Sequence, residues 1–204
     1  MIPPTLKVRD GGPSVAAAPL RLADGIGWPR QRTVVSVRSE ADALTVMFTC
    51  DDTDAWGTLT RRDDPVYKEE CVELFLAPGE DDPKDYFEFE LSPLGTFFDA
   101  RIHNPTGRRE SLSADLEWRA RGATWRAVVD RAAARWTAEM RLPWAGLGFP
   151  PGVVRPRVWR LNFYRIDRPR DGSAAEYSAW SPTAVTPPNF HVPSRFGWLR
   201  LDVD

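Results

Sequence analysis

Cysteine and histidine are both scarce, at two each in 204 residues. Two cysteines cannot build a disulfide framework, so Cys50 and Cys71 are read as buried free thiols. A Cys50–Cys71 bridge would require their strands to be neighbours. His103 and His191 are the only imidazole bases, and no Gly-x-Ser-x-Gly elbow accompanies either, which leaves nucleophilic triads without support. Zinc-type spacings, Cys-x-x-Cys and His-x-x-x-His, are missing. Phosphate-cradling glycine loops are missing too, since Asp10-Gly-Gly-Pro13 and Gly25-Ile-Gly27 read as turns. No run of 18 apolar residues exists, so no helix is expected to span a membrane. A net charge of −2 lacks the basic excess of a nucleic-acid binder. The start, Met1-Ile-Pro-Pro-Thr-Leu-Lys7, shows no basic stretch followed by an apolar one, so no signal peptide is visible. The expectation is an intracellular chain, or an exported one already trimmed.

Aromatics are abundant instead, with nine Trp, ten Phe and four Tyr. Nineteen prolines and 14 glycines exceed the usual combined share of about 12%, which predicts many turns and no long helix. Period-two alternation recurs along the chain. Leu44, Val46, Phe48 and Cys50 share one face of a run; so do Val72, Leu74 and Leu76, and then Phe87, Phe89 and Leu91. Trp125, Ala127 and Val129 follow, then Trp136, Ala138, Met140 and Leu142, then Trp159, Leu161 and Phe163. Such alternation, rich in aromatic and β-branched residues, is the half-buried strand signal. Turn chemistry separates the runs at Ala77–Pro83, Ser92–Gly95, Asn104–Gly107 and Pro150–Gly152. The fold expected is all-β: a single-domain, antiparallel, jelly-roll-like β-sandwich over 1–204, with residues 1–30 wrapping its edge. Pro143–Gly148 is expected to form a short helix. Residues 166–195, proline-rich but carrying Tyr177, Trp180, Phe190 and His191, read as one long loop of the kind that usually has a function.

Six glutamates, Glu69, Glu70, Glu73, Glu88, Glu90 and Glu139, fall in or beside strands, where outward acids are normally solvated. Two acidic turns, Asp51–Asp54 and Glu80–Pro83, offer clustered hard oxygens and admit a structural Ca²⁺, though neither has helix-loop-helix spacing. Trp125, Trp136 and Trp159 are most simply core. Trp180, in the long loop, and Tyr67, just ahead of a strand, stand apart from that pattern. Rings outside a core provide surfaces on which sugar CH faces stack, while Asp, Glu, Asn and Arg supply partners for hydroxyls. Packing is still the commoner role for a lone loop tryptophan. Tyr67 and Glu73 are six apart, so an extended chain places both on one side, and Arg160 and Asn162 share a face.

Several segments, taken together, resemble the family 9 carbohydrate-binding modules. They are Pro65-Val-Tyr-Lys-Glu-Glu-Cys-Val-Glu-Leu-Phe-Leu76, Tyr86-Phe-Glu-Phe-Glu-Leu-Ser-Pro-Leu-Gly95, Trp136–Trp144, Trp159–Arg165, and Trp180-Ser-Pro182 with Phe190–Gly197. The resemblance implies a non-catalytic sandwich that grips a sugar between two aromatic rings, often with bound calcium. It matches Tyr67 to one ring, Trp180 to the opposing ring with Tyr177 beside it, and Glu73 to the acid that hydrogen-bonds the sugar. Arg101 and Asn162 are matched to the remaining polar set. Tyr67 stands where the family often has Trp. The partner implied is a mono- or oligosaccharide, with neither nucleic acid nor membrane.

Two alternatives belong to other classes. Haem-binding relatives of the same superfamily suggest a redox module, with Met47 or Met140 and His103, His191 or Lys68 as axial ligands. A glycan-processing enzyme would use two of the six glutamates.

Overall fold

All six alternating runs fold as strands. A computed structural model describes residues 2–202. Its strands are β1 (Thr5–Arg9), β2 (Val15–Ala16), β3 (Arg21–Leu22), β4 (Thr33–Ser39), β5 (Ala43–Asp51), β6 (Cys71–Pro78) and β7 (Asp85–Leu91). They continue with β8 (Phe97–His103), β9 (Ser113–Asp115), β10 (Thr124–Asp130), β11 (Arg135–Pro143), β12 (Val158–Asp167), β13 (Glu176–Ala179) and β14 (Gly197–Asp202). The larger sheet runs β1-β14-β12-β6-β7-β8-β9, with β13 on the far end of β12 and β3 beside it. The smaller sheet runs β10-β11-β5-β4-β2. Strands pair antiparallel except β1, which lies parallel to β14. Residues 5–22 thus supply one edge strand to each sheet and a third beside β13.

The two sheets pack as a sandwich because the alternating apolar sets meet between them. Phe48 of β5 meets Phe163 of β12 edge-to-face at 5.9 Å. Val72, Leu74 and Leu76 of β6, Phe89 of β7, and Trp136, Ala138 and Met140 of β11 fill the same interior. The larger sheet has a second buried face. Phe75, Tyr86, Tyr164 and Ile166 point away from the sandwich and pack with Val66, Phe190 and Phe196 from connecting segments. This is why every residue of β6 except Pro78 is buried, including those that alternation alone would leave wet.

Residues 166–195 are not one loop. Strand β12 extends to Asp167, β13 pairs with it through Tyr164↔Ala179 and Asp167↔Glu176, and a single turn forms at Pro193–Arg195. Four residues are too few for alternation to announce a strand, so its neighbours decide it. In strand β8, Phe98, Ala100 and Ile102 alternate toward the second buried face, while on the sandwich side the apolar set that starts at Phe97 stops at buried Asp99. Its carboxylate accepts Arg62 Nη2 at 2.6 Å and the Ala120 amide at 2.8 Å. Trp144–Leu147 forms the short helical turn expected near Pro143. Cys50 and Cys71 are both free and buried. They lie on different sheets, with Cys71 on the face turned away from Cys50.

The tryptophan excess is largely a matter of packing. Trp136 and Trp159 are fully buried, and Trp125 stacks on Phe97 at 4.3 Å. Around the rim, Arg62 covers Trp125 at 4.9 Å, Arg155 covers Trp144 at 4.5 Å and Arg160 covers Trp198 at 4.6 Å. Trp136→Ala should therefore cost about 3–5 kcal/mol in urea unfolding followed by circular dichroism. Trp28→Ala, at a 62% exposed site, should stay within about 0.5 kcal/mol of wild type.

Candidate functional site

The second buried face of the larger sheet is where ionisable groups gather. In β6 the outward parity is Cys71, Glu73, Phe75; in β7 it is Tyr86, Glu88, Glu90. The hairpin register sets Glu73 directly opposite Glu90 and Phe75 opposite Glu88, and opposed residues share a face of a sheet at close range. Three glutamates thus converge, and all are buried, Glu73 at 2% exposure and Glu90 at 1%. The expectation that strand acids are solvated fails for them, and for Glu70. Alternation correctly turned these side chains away from the sandwich, but it carries no information about segments that return to cover that face.

Those segments also supply polar walls. His191 stacks on Phe75 at 4.9 Å, its Nδ1 lies 2.9 Å from the Tyr86 hydroxyl, and its Nε2 is 3.9 Å from Glu88. Tyr164 donates to the Phe190 carbonyl at 2.9 Å. Burial raises Glu73, Glu88 and Glu90 above the usual carboxylate range, and repulsion within the cluster raises Glu73 and Glu90 further. Burial, then the charge of Arg109, lowers His191 to about 4. The rim is Tyr67, in the turn Val66–Lys68, a residue 43% exposed whose ring is edge-on to Phe98 at 6.5 Å. Arg168 links this rim to Tyr177, donating to the Tyr177 hydroxyl at 2.9 Å and to the Tyr67 carbonyl at 3.4 Å.

Of the six residues singled out from the sequence, Tyr67, Glu73 and Tyr177 therefore lie on one face. Asn162 lies there too, but its capacity is spent. Its Oδ1 accepts the Phe163 and Ser181 amides, and its Nδ2 donates to the Tyr164 hydroxyl and the Ser181 carbonyl. It anchors the chain beyond β13. Trp180 does not oppose Tyr67. It is 5% exposed inside the sandwich, 5.5 Å from Phe163, on the opposite side of the sheet from the glutamates. Its ring crosses β14 so closely that a Cβ on Gly197 would come within 2.4 Å of it. Arg101 is exposed on β8 opposite Phe87, and Phe87 packs toward the sandwich. The pleat thus turns Arg101 away from the glutamate face. Glu88, Tyr86, Tyr164 and His191 were not read as members of the sugar site. Equal parity of acids in two hairpin-linked strands was the available signal, but it required the register.

A second acid group closes one end of the sandwich. Asp52, Glu70 and Asp167 bring carboxylate oxygens within 4.8 Å of one another. Arg165 enters the group, 2.7 Å from Asp52 and 3.7 Å from Asp167. Glu70 accepts the Trp56 and Arg168 amides at 3.2 and 3.3 Å. Burial and then the Asp52 charge push its pKa up to about 8. Calcium, which the resemblance implies, needs six to eight oxygens free to converge. In the two acidic turns Asp51 faces Arg135 at 3.2 Å, Asp54 faces Arg170 at 3.0 Å, Asp82 faces Arg160 at 2.7 Å and Glu80 faces Arg200 at 3.7 Å. A guanidinium group faces each of these four carboxylates, so none of the four is a free oxygen ligand as the side chains stand. Nor are the suggested haem ligands assembled. Met47 and Met140 belong to the smaller sheet, and Met140 is separated from His191 by the larger sheet.

Glu70 sets a pH signature. A carboxyl raised on folding stabilises fully below its ordinary value near 4.5, and that stability is lost as pH rises toward about 8. His191 acts in the opposite sense, its contribution fading as pH falls from about 6.5 toward 4. Between pH 5 and 8, Glu70→Gln should remove a decline of up to about 1.4 kcal/mol per pH unit relative to wild type. Thermal melts across that range read the difference.

Comparison with known proteins agrees with this architecture. The sequence profile of carbohydrate-binding family 9 matches residues 24–201. A curated relative, an "Extracellular protein" of Arthroderma benhamiae, is 28% identical over 143 residues, covering 65% of this chain. The match takes in 61% of that relative's length. A Bacteroides uniformis ATCC 8492 protein described as a candidate for carbohydrate binding superposes with TM-score 0.75 at 17% identity, over 98% of this chain and 99% of its own. A family 9 module of Caldicellulosiruptor kristjanssonii, solved with glucose, gives TM-score 0.66 at 12% identity over 98% and 96% of the two chains. Its complex with cellotriose gives 0.61 at 11%, over 98% and 94%. At such identities the superpositions establish the fold, and the sequence profile, which spans most of the chain, establishes the family. The chain belongs to carbohydrate-binding family 9.

Proposed function

We propose that this chain binds a mono- or oligosaccharide without transforming it, at the rim of Tyr67 over the glutamate face of the larger sheet. The observation that supports this most directly is a half-exposed tyrosine beside a cluster of carboxyls that pair with no arginine or lysine among the described residues. A tyrosine face presents a flat apolar surface to sugar CH groups. Carboxyls that retain protons at neutral pH both donate to and accept from hydroxyls, whereas ionised ones only accept. Glu88, the most accessible of the three, and Tyr177 with Arg168 on the rim are the polar partners of this reading. Trp180 has no part in it, and Glu73 acts from beneath.

Glucose and cellotriose, held by the family relatives from Caldicellulosiruptor, are the first probes. Calorimetric titration of wild type should show saturable binding. Tyr67→Ala should weaken it about tenfold, the loss expected for about 1.4 kcal/mol of stacking. Trp180→Phe should leave affinity unchanged while lowering the melting temperature, because that ring is core. No heat at millimolar sugar, or equal affinity for Tyr67→Ala, would overturn the assignment.

A further inference from the structure

Under the Tyr67 turn, beside the glutamates of the sugar reading, lies a thiol that sugar recognition does not use, Cys71. Cys71 and Glu73, two apart on β6, point the same way, and Glu90 faces Glu73 across the hairpin. The Cys71 Sγ, a Glu73 carboxylate oxygen and a Glu90 carboxylate oxygen lie within 4.8 Å of one another. The Cys71 thiol donates to Glu73 Oε1 with an Sγ to Oε1 distance of 3.5 Å. In a tetrahedral zinc site, bonds of about 2.3 Å to sulfur and about 2.0 Å to oxygen put a sulfur and an oxygen about 3.5 Å apart. That edge is already formed. Independently, Glu90 Oε2 is buried and has no hydrogen-bond partner, although its residue is 1% exposed. An orphaned buried carboxylate oxygen is costly and calls for a proton or a cation. Neither Glu73 nor Glu90 makes an ion pair among the described residues, in contrast to the Asp52 group, which has Arg165.

The geometry points to a divalent metal site of the zinc class, ligated by the Cys71 thiolate and the Glu73 and Glu90 carboxylates. A thiolate among the donors selects against calcium and magnesium, which take oxygen alone. Metal entry displaces the thiol proton and any protons held by the two carboxyls, so affinity rises with pH. The site shares Glu73 and Glu90 with the sugar reading but rests on separate observations. It asks only that β6 and β7 pair as they do.

Cobalt(II) reports on it directly, since a thiolate ligand gives a near-ultraviolet charge-transfer band that oxygen ligands do not. Metal-free wild type titrated with Co²⁺ at pH 7.5 should develop the band at one equivalent, and Zn²⁺ should abolish it by displacement. Cys50→Ser should behave as wild type, Cys71→Ser should show no band, and Glu90→Gln should weaken binding at least tenfold. No band in wild type, a band that survives in Cys71→Ser, or one lost in Cys50→Ser would overturn the assignment. If Cys71→Ser does not fold, Cys50→Ser decides alone, because Cys71 is then the only thiol. Sugar titration of the metal-free protein is read separately, so failure of either idea leaves the other standing.

Discussion

Burial of the larger sheet on both sides governs the rest of the molecule. A sheet in an ordinary sandwich has one dry and one wet face, and its acids go to the wet one. Here the turn Val66–Lys68 and the segment around Phe190–Phe196 cover the outer face, so Glu73, Glu88 and Glu90 lie in a low-dielectric layer. Ionised carboxylates in such a layer are unstable unless something answers them. Burial raises their pKa values, and His191 supplies one weak neighbour.

The same problem is solved differently at the end of the sandwich. Asp52, Glu70 and Asp167 gather around Arg165, which also donates to Thr33 and to the Asp51 carbonyl. A guanidinium is a permanent, planar cation with several donors, so it can neutralise a carboxylate group without exchange with solvent. Arginines perform a related task on the rim, laid across Trp125, Trp144 and Trp198 and pairing with acidic turns. The two acid groups are thus chemically distinct: one holds an arginine of the chain, and the other has no arginine or lysine in ion-pair range among the described residues.

Much of the fold was legible in advance. Runs such as Leu44–Cys50 and Trp136–Leu142 have room for several alternations, and each became a strand of the predicted face. Strand β13 was hidden for a physical reason, its four-residue length. For the candidate site, residue identity was only half the information. Tyr67, Glu73 and Tyr177 do share a face, while Trp180 and Arg101 point elsewhere. Trp180 in Ser178-Ala-Trp180-Ser looks like a loop tryptophan until β13 pairs with β12 and the pleat turns its ring inward over Gly197.

Local periodicity and turn chemistry determined on their own that the chain would be an antiparallel sandwich, because side-chain alternation is a property of each strand by itself. Which acids would meet was settled by register: Glu73 faces Glu90 only because the hairpin closes with that pairing. Which would lose their water was settled by segments 100 residues or more away, such as His191 over Phe75. Contacts of that kind leave no mark in any short window of sequence, and together with the nearby turn Val66–Lys68 they turned three ordinary strand glutamates into a buried group.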